Sequence, residues 1–197
     1  MDKKTYKNWE GLTDKMLNDS WKFRNLCGRP FDRGFIGELL VLKQLLKRYR
    51  DKLCSSLDND IVYAGSANKE WDIKLALDAK TILLNAKATT VLDTKNKPRW
   101  VRQDAKSFCD IKIDKKGQWV LPKKSNPGLF YVFVDVGTWL KNKNADYFIL
   151  SDKMAKLKFG KKYSNLYNGK TRKTGSTDFW VEYSDVKSFK DKFPRSN

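Results

Sequence analysis

The apolar run from Leu129 to Val136 (LFYVFVDV) is the strongest fold signal in this chain. Strands that are buried on both faces appear as continuous apolar runs, whereas half-exposed strands alternate between apolar and polar residues. The run is also too short to span a bilayer. It therefore predicts a central strand in a sheet that is covered on both sides, which is the architecture of an α/β domain.

Other predicted elements surround this strand. Apolar residues at helical spacing predict one helix from about Trp9 to Leu26 and a second from about Phe35 to Leu53. A short helix opens at Ser151, a last helix has Ser184 as its N-cap, and residues 101–128 give no clear pattern. The predicted strands are Asp60–Ala64, Glu70–Leu77, Thr81–Thr90, Leu129–Val136, Asp146–Leu150 and Phe179–Tyr183.

This order of elements predicts one α/β domain over residues 1–197, with a mixed central β-sheet flanked by helices. We expect its core at about residues 34–150. A basic C-terminal extension then covers about residues 151–197.

The charge of the chain indicates its class of partner. Lys and Arg total 41 and Asp and Glu total 23, so the 197 residues carry a formal net charge of +18. A chain this basic is expected to bind polyanions, and nucleic acid above all. Histidine is absent, which excludes catalysis by imidazole and zinc sites that need histidine.

The cysteines and the N-terminal sequence indicate the compartment. Cys27, Cys54 and Cys109 are far apart and form no CxxC pair, so we expect reduced thiols. The N-terminal sequence MDKKTYKNWE has no apolar signal core. We therefore expect a soluble, cytoplasmic protein without a membrane partner.

Polar residues converge on one face of the hairpin formed by the second and third predicted strands. If Asp78 pairs with Thr81 across a two-residue turn, Asp72 lies opposite Lys87. Because side chains alternate along a strand, Asn85 shares this face and lies diagonally from Asp72, about 7 to 8 Å away. The other face of the hairpin is apolar, which gives the pairing a hydrophobic reason to hold.

Three short motifs together resemble the PD-(D/E)xK nuclease superfamily, which includes restriction endonucleases and Holliday junction resolvases. They are Gly37-Glu38 on an apolar helix, Trp71-Asp72-Ile73, and Leu84-Asn85-Ala86-Lys87. The resemblance covers about residues 34 to 90. It implies a restriction-endonuclease-like fold and a Mg²⁺-dependent DNA endonuclease, such as a type II restriction enzyme or a related DNA-processing nuclease. Mn²⁺ is expected to substitute for Mg²⁺.

The resemblance also implies a role for each matching residue. Asp72 is the metal carboxylate, Lys87 orients or activates a water molecule, and Glu38 is the assisting acid on the helix. Asn85 stands where a carboxylate is usual, and the implied metal contacts are at Asp72, Glu38, Asn85 and Ala86. An amide oxygen can ligate a hard cation but adds no charge, so metal affinity must depend on Glu38 and Asp72.

Other interpretations remain open. Asp72 and Lys87 can form a cross-strand ion pair on a solvated face, which contributes under about 1 kcal/mol, and Glu38 can be an ordinary acid near a helix start. The alternative function is a catalytically inactive nucleic-acid-binding protein that keeps the same scaffold but has lost the metal site through Asn85. A ribosome-associated RNA-binding protein accounts for the charge but not for these three residues together.

Two basic stretches are candidate nucleic-acid surfaces. Between Lys153 and Thr177 there are eight basic residues and no acidic one, with three aromatic residues among them; cations interleaved with aromatic faces suit a nucleic acid. Alternatively, this stretch is a solvated basic loop whose aromatic residues are core. DNA is the expected partner. The oligomeric state stays open and includes a homodimer. The candidate contacts are Lys161, Lys162, Lys170, Arg172 and Lys173 here, and Arg99 and Arg102 in the stretch after the hairpin.

Overall fold

The computed structural model of the protein describes residues 11, 13–19, 33–49, 61–63, 70–77, 80–170 and 177–194. The predictions for Arg172, for Lys173 and for the side chain of Arg102 lie outside the described residues. In the part of the chain that is described, no helix is both long enough and apolar enough to cross a membrane.

Helix α1 spans Arg33–Arg48 and covers one face of the sheet. Its apolar residues recur at intervals of three and four, so they form one broad buried face. The second predicted helix is confirmed over 35–48, and the rest of its predicted range, apart from the bend at Tyr49, lies outside the described residues. Residues 13–19 are also helical, which confirms part of the first predicted helix. The buried residues of α1 are Ile36, Gly37, Leu39, Leu40, Val41, Leu42, Leu45 and Leu46.

The main sheet has five strands, and it confirms the predicted α/β class with a mixed central sheet. Its strands are β1 (Ile61–Tyr63), β2 (Ile73–Leu77), β3 (Lys80–Thr89), β7 (Leu129–Asp135) and β8 (Asp146–Ser151). They lie in the order β1-β2-β3-β7-β8. The β1, β2 and β3 strands form an antiparallel meander, β7 pairs parallel to β3, and β8 pairs antiparallel to β7.

The connection from β3 to β7 forms a second layer, in the region where the sequence gives no clear pattern. It contains β4 (Arg99–Asp104), β5 (Cys109–Asp114) and β6 (Gly117–Pro122). β5 and β6 form a hairpin, and β4 pairs with β9 (Asp178–Glu182) near the end of the chain. The remaining helices are α2 (Val136–Asn142), α3 (Asp152–Ala155), α4 (Lys161–Tyr167) and α5 (Tyr183–Val186), with a π-helical turn at Lys156–Gly160 between α3 and α4.

The central strand β7 is buried on both faces, as its apolar run predicts. Val132 and Val134 belong to the core that α1 covers, whereas Tyr131 and Phe133 belong to a second, aromatic core on the opposite face. There the ring of Trp100 packs edge to face on Phe133, with 5.5 Å between the ring centroids. The sheet is therefore sandwiched between α1 and the layer that contains β4.

The start of the last helix differs from the prediction. Helix α5 is capped by Glu182, and Ser184 lies inside the helix rather than at its N-cap. Glu182 and Asp185 form a capping box, in which the backbone N–H of Glu182 donates to Asp185 at 2.9 Å. This reciprocal pair satisfies two free N–H groups, whereas a serine cap satisfies one.

Gly37 sets the distance between α1 and the sheet. A Cβ atom built at Gly37 would lie 2.5 Å from the Cβ of Ala88 on β3. Real Cβ atoms cannot approach this closely, so only glycine permits the observed packing at this position. The contact also brings Glu38, the next residue on α1, close to the strand that carries Lys87.

We expect Gly37→Ala to lower the free energy of unfolding by about 1 to 3 kcal/mol, because the added methyl group overpacks the helix–sheet contact. Alanine is the better helix former, so helix propensity alone predicts the opposite sign. Urea denaturation measures the difference. Gly11→Ala is the matched control: a Cβ there meets no atom of the described residues within 4 Å, so no loss is expected. Equal stability of Gly37→Ala and the wild type would contradict this packing.

Candidate functional site

The β2–β3 hairpin carries the predicted site, but in a different register from the predicted one. Ile73 pairs with Leu84, and Leu77 with Lys80. Continuing this register by one residue places Asp72 across from Asn85, not across from Lys87. The predicted pairing was therefore wrong by two residues. A slip of two residues keeps every side chain on the same face, so the apolar pattern does not distinguish the two registers.

Asp72 lies immediately before β2 and is half-buried. Its backbone N–H donates to the carbonyl of Leu84 at 2.8 Å, and its carboxylate accepts a hydrogen bond from the backbone N–H of Ala86 at 2.6 Å. Burial raises the pKa of Asp72, while the Ala86 hydrogen bond and the charge of Lys87 act in the opposite direction. The hydrogen bonds therefore hold the carboxylate in position. The Ala86 hydrogen bond and the charge of Lys87 offset only part of the rise in its pKa that burial causes.

Asn85 is buried, with 7% of its surface exposed. Its amide nitrogen donates to the backbone carbonyl of Glu70 at 3.1 Å, which orients the side chain. The amide oxygen has no hydrogen-bond partner among the described residues. Buried polar atoms nearly always have a partner, so this oxygen is available as an acceptor or as a ligand.

Lys87 follows Asn85 by two residues on β3 and therefore points to the same face of the sheet. Burial lowers the pKa of its ammonium group, and the negative charges of Asp72, Asp104 and Glu38 counteract this shift. The structure thus places Asp72, Asn85 and Lys87 on one face, with Glu38 close enough to act on the charge of Lys87.

Asp104 is the acidic neighbour that sequence reasoning missed. It ends β4 and caps the following 3-10 turn, where its carboxylate accepts hydrogen bonds from the Lys106 N–H at 3.0 Å and the Thr177 hydroxyl at 2.7 Å. It lies in the region 101–128, where no pattern predicts a strand. A usable signal would have been the sequence Asp104-Ala105-Lys106, because an aspartate that accepts from the N–H two residues later is a common turn start.

Asp72 and Asn85 carry side-chain oxygen atoms that could hold a hard cation. Across the described ranges, no three Asp, Glu, Cys or His side chains cluster closely enough to hold a metal ion. Asp72 supplies one carboxylate, and Asn85 supplies an uncharged oxygen without a partner. Mg²⁺ is bound in proteins by one or two carboxylates together with water molecules, and this set meets that requirement. Ala86 contributes through its backbone N–H, which holds Asp72.

The predicted nucleic-acid contacts have different surroundings. Arg99 is bound to Glu182, with 2.8 Å between nitrogen and oxygen, and its guanidinium lies 3.4 Å from the ring centroid of Trp180. Lys162 forms an ion pair with Asp185. The side chains of Lys161 and Lys170 are exposed. Arg99 and Lys162 therefore have structural partners, whereas Lys161 and Lys170 face solvent.

The aromatic residues of the basic stretch belong to the core, as the alternative interpretation holds. Phe159 and Tyr163 have no exposed surface, and Tyr167 packs on Tyr163 with 4.7 Å between the ring centroids. The expectation that aromatic faces form part of a nucleic-acid surface is therefore wrong for Phe159 and Tyr163. The stretch 152–167 is helical rather than a loop.

Comparison of the chain with protein-family models, with curated proteins and with solved structures found no match.

Proposed function

We propose that the protein is a Mg²⁺-dependent endonuclease that hydrolyses phosphodiester bonds in DNA, with the restriction-endonuclease-like fold that its motifs resemble. The observation that carries this proposal is the buried amide oxygen of Asn85, which lies across the strand pair from Asp72 and has no partner among the described residues. A buried polar atom without a partner costs about 1 to 3 kcal/mol. A cation shared with Asp72 would remove this cost.

The arrangement of the elements supports the same proposal. Helix α1 carries Glu38, Asp72 precedes β2, and Lys87 lies on β3, so the motifs that carry the resemblance meet at one end of the β2–β3 pair. The close contact between Gly37 and Ala88 brings the helix to this end. The net charge of +18 favours a polyanionic substrate.

Each residue has a defined task in this proposal. Asp72 and Asn85 would hold the cation, and Asp72 supplies the negative charge. Mg²⁺ bound there would neutralise charge on the phosphate and make a water molecule acidic at neutral pH. Lys87 donates to the phosphate or positions the attacking water. Because burial lowers the pKa of Lys87, it exchanges a proton nearer to neutral pH than an exposed lysine does.

A catalytically inactive DNA-binding protein is the second candidate. Two observations favour it: Asn85 provides no charge where the related nucleases have a carboxylate, and the described residues include no cluster of three metal-binding side chains. Both candidates bind DNA, so only a cleavage assay separates them.

Asp72→Asn is expected to reduce cleavage of plasmid DNA in Mg²⁺ or Mn²⁺ by more than about a hundredfold, because loss of a metal ligand should cost more than loss of its supporting residues. The variant keeps an acceptor for the Ala86 N–H, so it should fold and should bind DNA normally in EDTA. Asp110→Asn, which changes an exposed aspartate on β5, is the matched control. Cleavage by Asp72→Asn at the wild-type rate would place the site elsewhere.

Asn85→Asp is expected to lower the Mg²⁺ concentration for half-maximal cleavage by about tenfold, since each 1.4 kcal/mol of added affinity changes an equilibrium constant tenfold. A metal titration of the cleavage rate measures it. An unchanged metal requirement would exclude Asn85 as a ligand. Wild-type protein that is inert, together with an Asn85→Asp variant that cuts, would establish the inactive binder instead.

A further inference from the structure

A groove of about 390 Å³ lies on the surface between β6 and the helical segment formed by α3, the π-helical turn and α4. Val120, Leu121 and Pro122 form the wall on the strand side. Lys153, Leu157, Gly160, Lys161 and Ser164 line the helical side. Lys153, Leu157 and Lys161 are four residues apart, as are Gly160 and Ser164, so one face of the helical segment forms this wall.

The groove is basic. Four lysines line it and, among the described residues, no acidic side chain does: they are Lys123, Lys153, Lys156 and Lys161. The ammonium group of Lys123 donates to the carbonyl of Lys106 at 2.9 Å. That of Lys156 donates to the carbonyl of Lys124 at 2.6 Å and pairs with the fully buried Asp152. Their aliphatic chains therefore line the groove, as lysine stems do on apolar surfaces.

The other two lysines point their charges into solvent at the edge of the groove. Lys153 and Lys161 are both exposed, and they are eight residues apart. At 1.5 Å per residue, their backbone positions are about 12 Å apart along the helical axis. This distance is several times the roughly 3.4 Å rise per nucleotide of a duplex strand, so the two lysines would contact different phosphates.

Two leucines at the groove are unusually exposed for their size. Leu157 has 64% of its surface exposed and Leu121 has 51%, and they lie on opposite walls. Burying such side chains against another molecule contributes about 1.5 to 3 kcal/mol each when burial is complete. The groove thus combines apolar walls with a cationic edge.

The groove lies on the same face of the sheet as the candidate catalytic residues. Phe108 forms part of the groove and packs on Tyr131, with 4.8 Å between the ring centroids. Tyr131 is the register partner of Asn85 on the neighbouring strand. Phe108 and Tyr131 therefore connect the groove to the strand position beside Asn85.

We propose that this groove binds an unpaired strand of DNA, so that the substrate of the proposed nuclease contains a single-stranded segment. The inference rests on the proposed function for the choice of DNA over other polyanions. Duplex DNA keeps its bases stacked and presents mainly phosphates to a surface of this kind. An unpaired strand offers phosphates for the lysines and exposed base faces whose apolar surface can be buried against the leucines.

The test measures binding of a short fluorescent oligothymidine and of a hairpin duplex by anisotropy in EDTA over a range of salt concentrations. Lys153→Gln with Lys161→Gln is expected to reduce the slope of log K against log salt by about 1.4 for the single strand, since each contact contributes about 0.7. Lys47→Gln with Lys187→Gln removes two exposed charges outside the groove and should leave the slope unchanged.

The apolar walls are tested separately. Leu157→Ser should weaken binding of the single strand several-fold and leave duplex binding unchanged, and folding should be unaffected because the side chain is exposed. Leu166→Ser is the control, since Leu166 is 46% exposed on α4 but does not line the groove.

Three results would overturn the proposal. The first is an equal loss of affinity for oligothymidine in the two double lysine variants. The second is an equal effect of Leu157→Ser on binding of the single strand and of the duplex. The third is competition by polyglutamate that is as effective as competition by unlabelled oligothymidine. Because binding is measured without metal, these results do not depend on cleavage. A protein that binds the strand in the groove but never cuts would refute the proposed nuclease and leave the groove assignment intact.

Discussion

The burial of strand β3 on both faces is the constraint on which the site depends. Helix α1 covers one face, and β4 with the aromatic core covers the other. Asn85 and Lys87 point to the second face, so their polar groups are removed from much of the solvent that would otherwise satisfy them. Burying polar groups is unfavourable unless they find partners. The Asn85 oxygen has none among the described residues, and a bound cation would provide one.

The same burial shifts the pKa values of the charged groups near Asn85. Desolvation raises the pKa of Asp72 and lowers the pKa of Lys87, and each charge partly offsets the shift of the other. Groups with shifted pKa values that face one another are common at functional sites, although structural ion pairs shift pKa values as well. The cluster also contains the Asn85 amide oxygen, which is buried and has no hydrogen-bond partner among the described residues.

The sequence predicted the face of the sheet on which Asp72, Asn85 and Lys87 lie, but it did not predict which residue lies opposite Asp72 on the neighbouring strand. The alternation of Ile73, Leu75 and Leu77 placed Asp72 on the opposite face, but the apolar pattern fits both registers, because a slip of two residues keeps every side chain on the same face. Strand β4 could not be predicted, because its partner strand β9 lies more than seventy residues later in the chain. Phe159 and Tyr163 were open to two interpretations, since helical spacing does not say whether a ring faces the core or a ligand.

The central claim is that the Asn85 oxygen and Asp72 share a divalent cation. The most direct test is anomalous diffraction from crystals of the protein soaked in Mn²⁺. We expect an anomalous peak at a coordination distance of about 2.1 to 2.2 Å from the Asn85 oxygen and from an oxygen of Asp72, close to the 2.0–2.1 Å of Mg²⁺ sites. The absence of a peak at this position in fully soaked crystals, with only a water molecule bound to the Asn85 oxygen, would contradict the account.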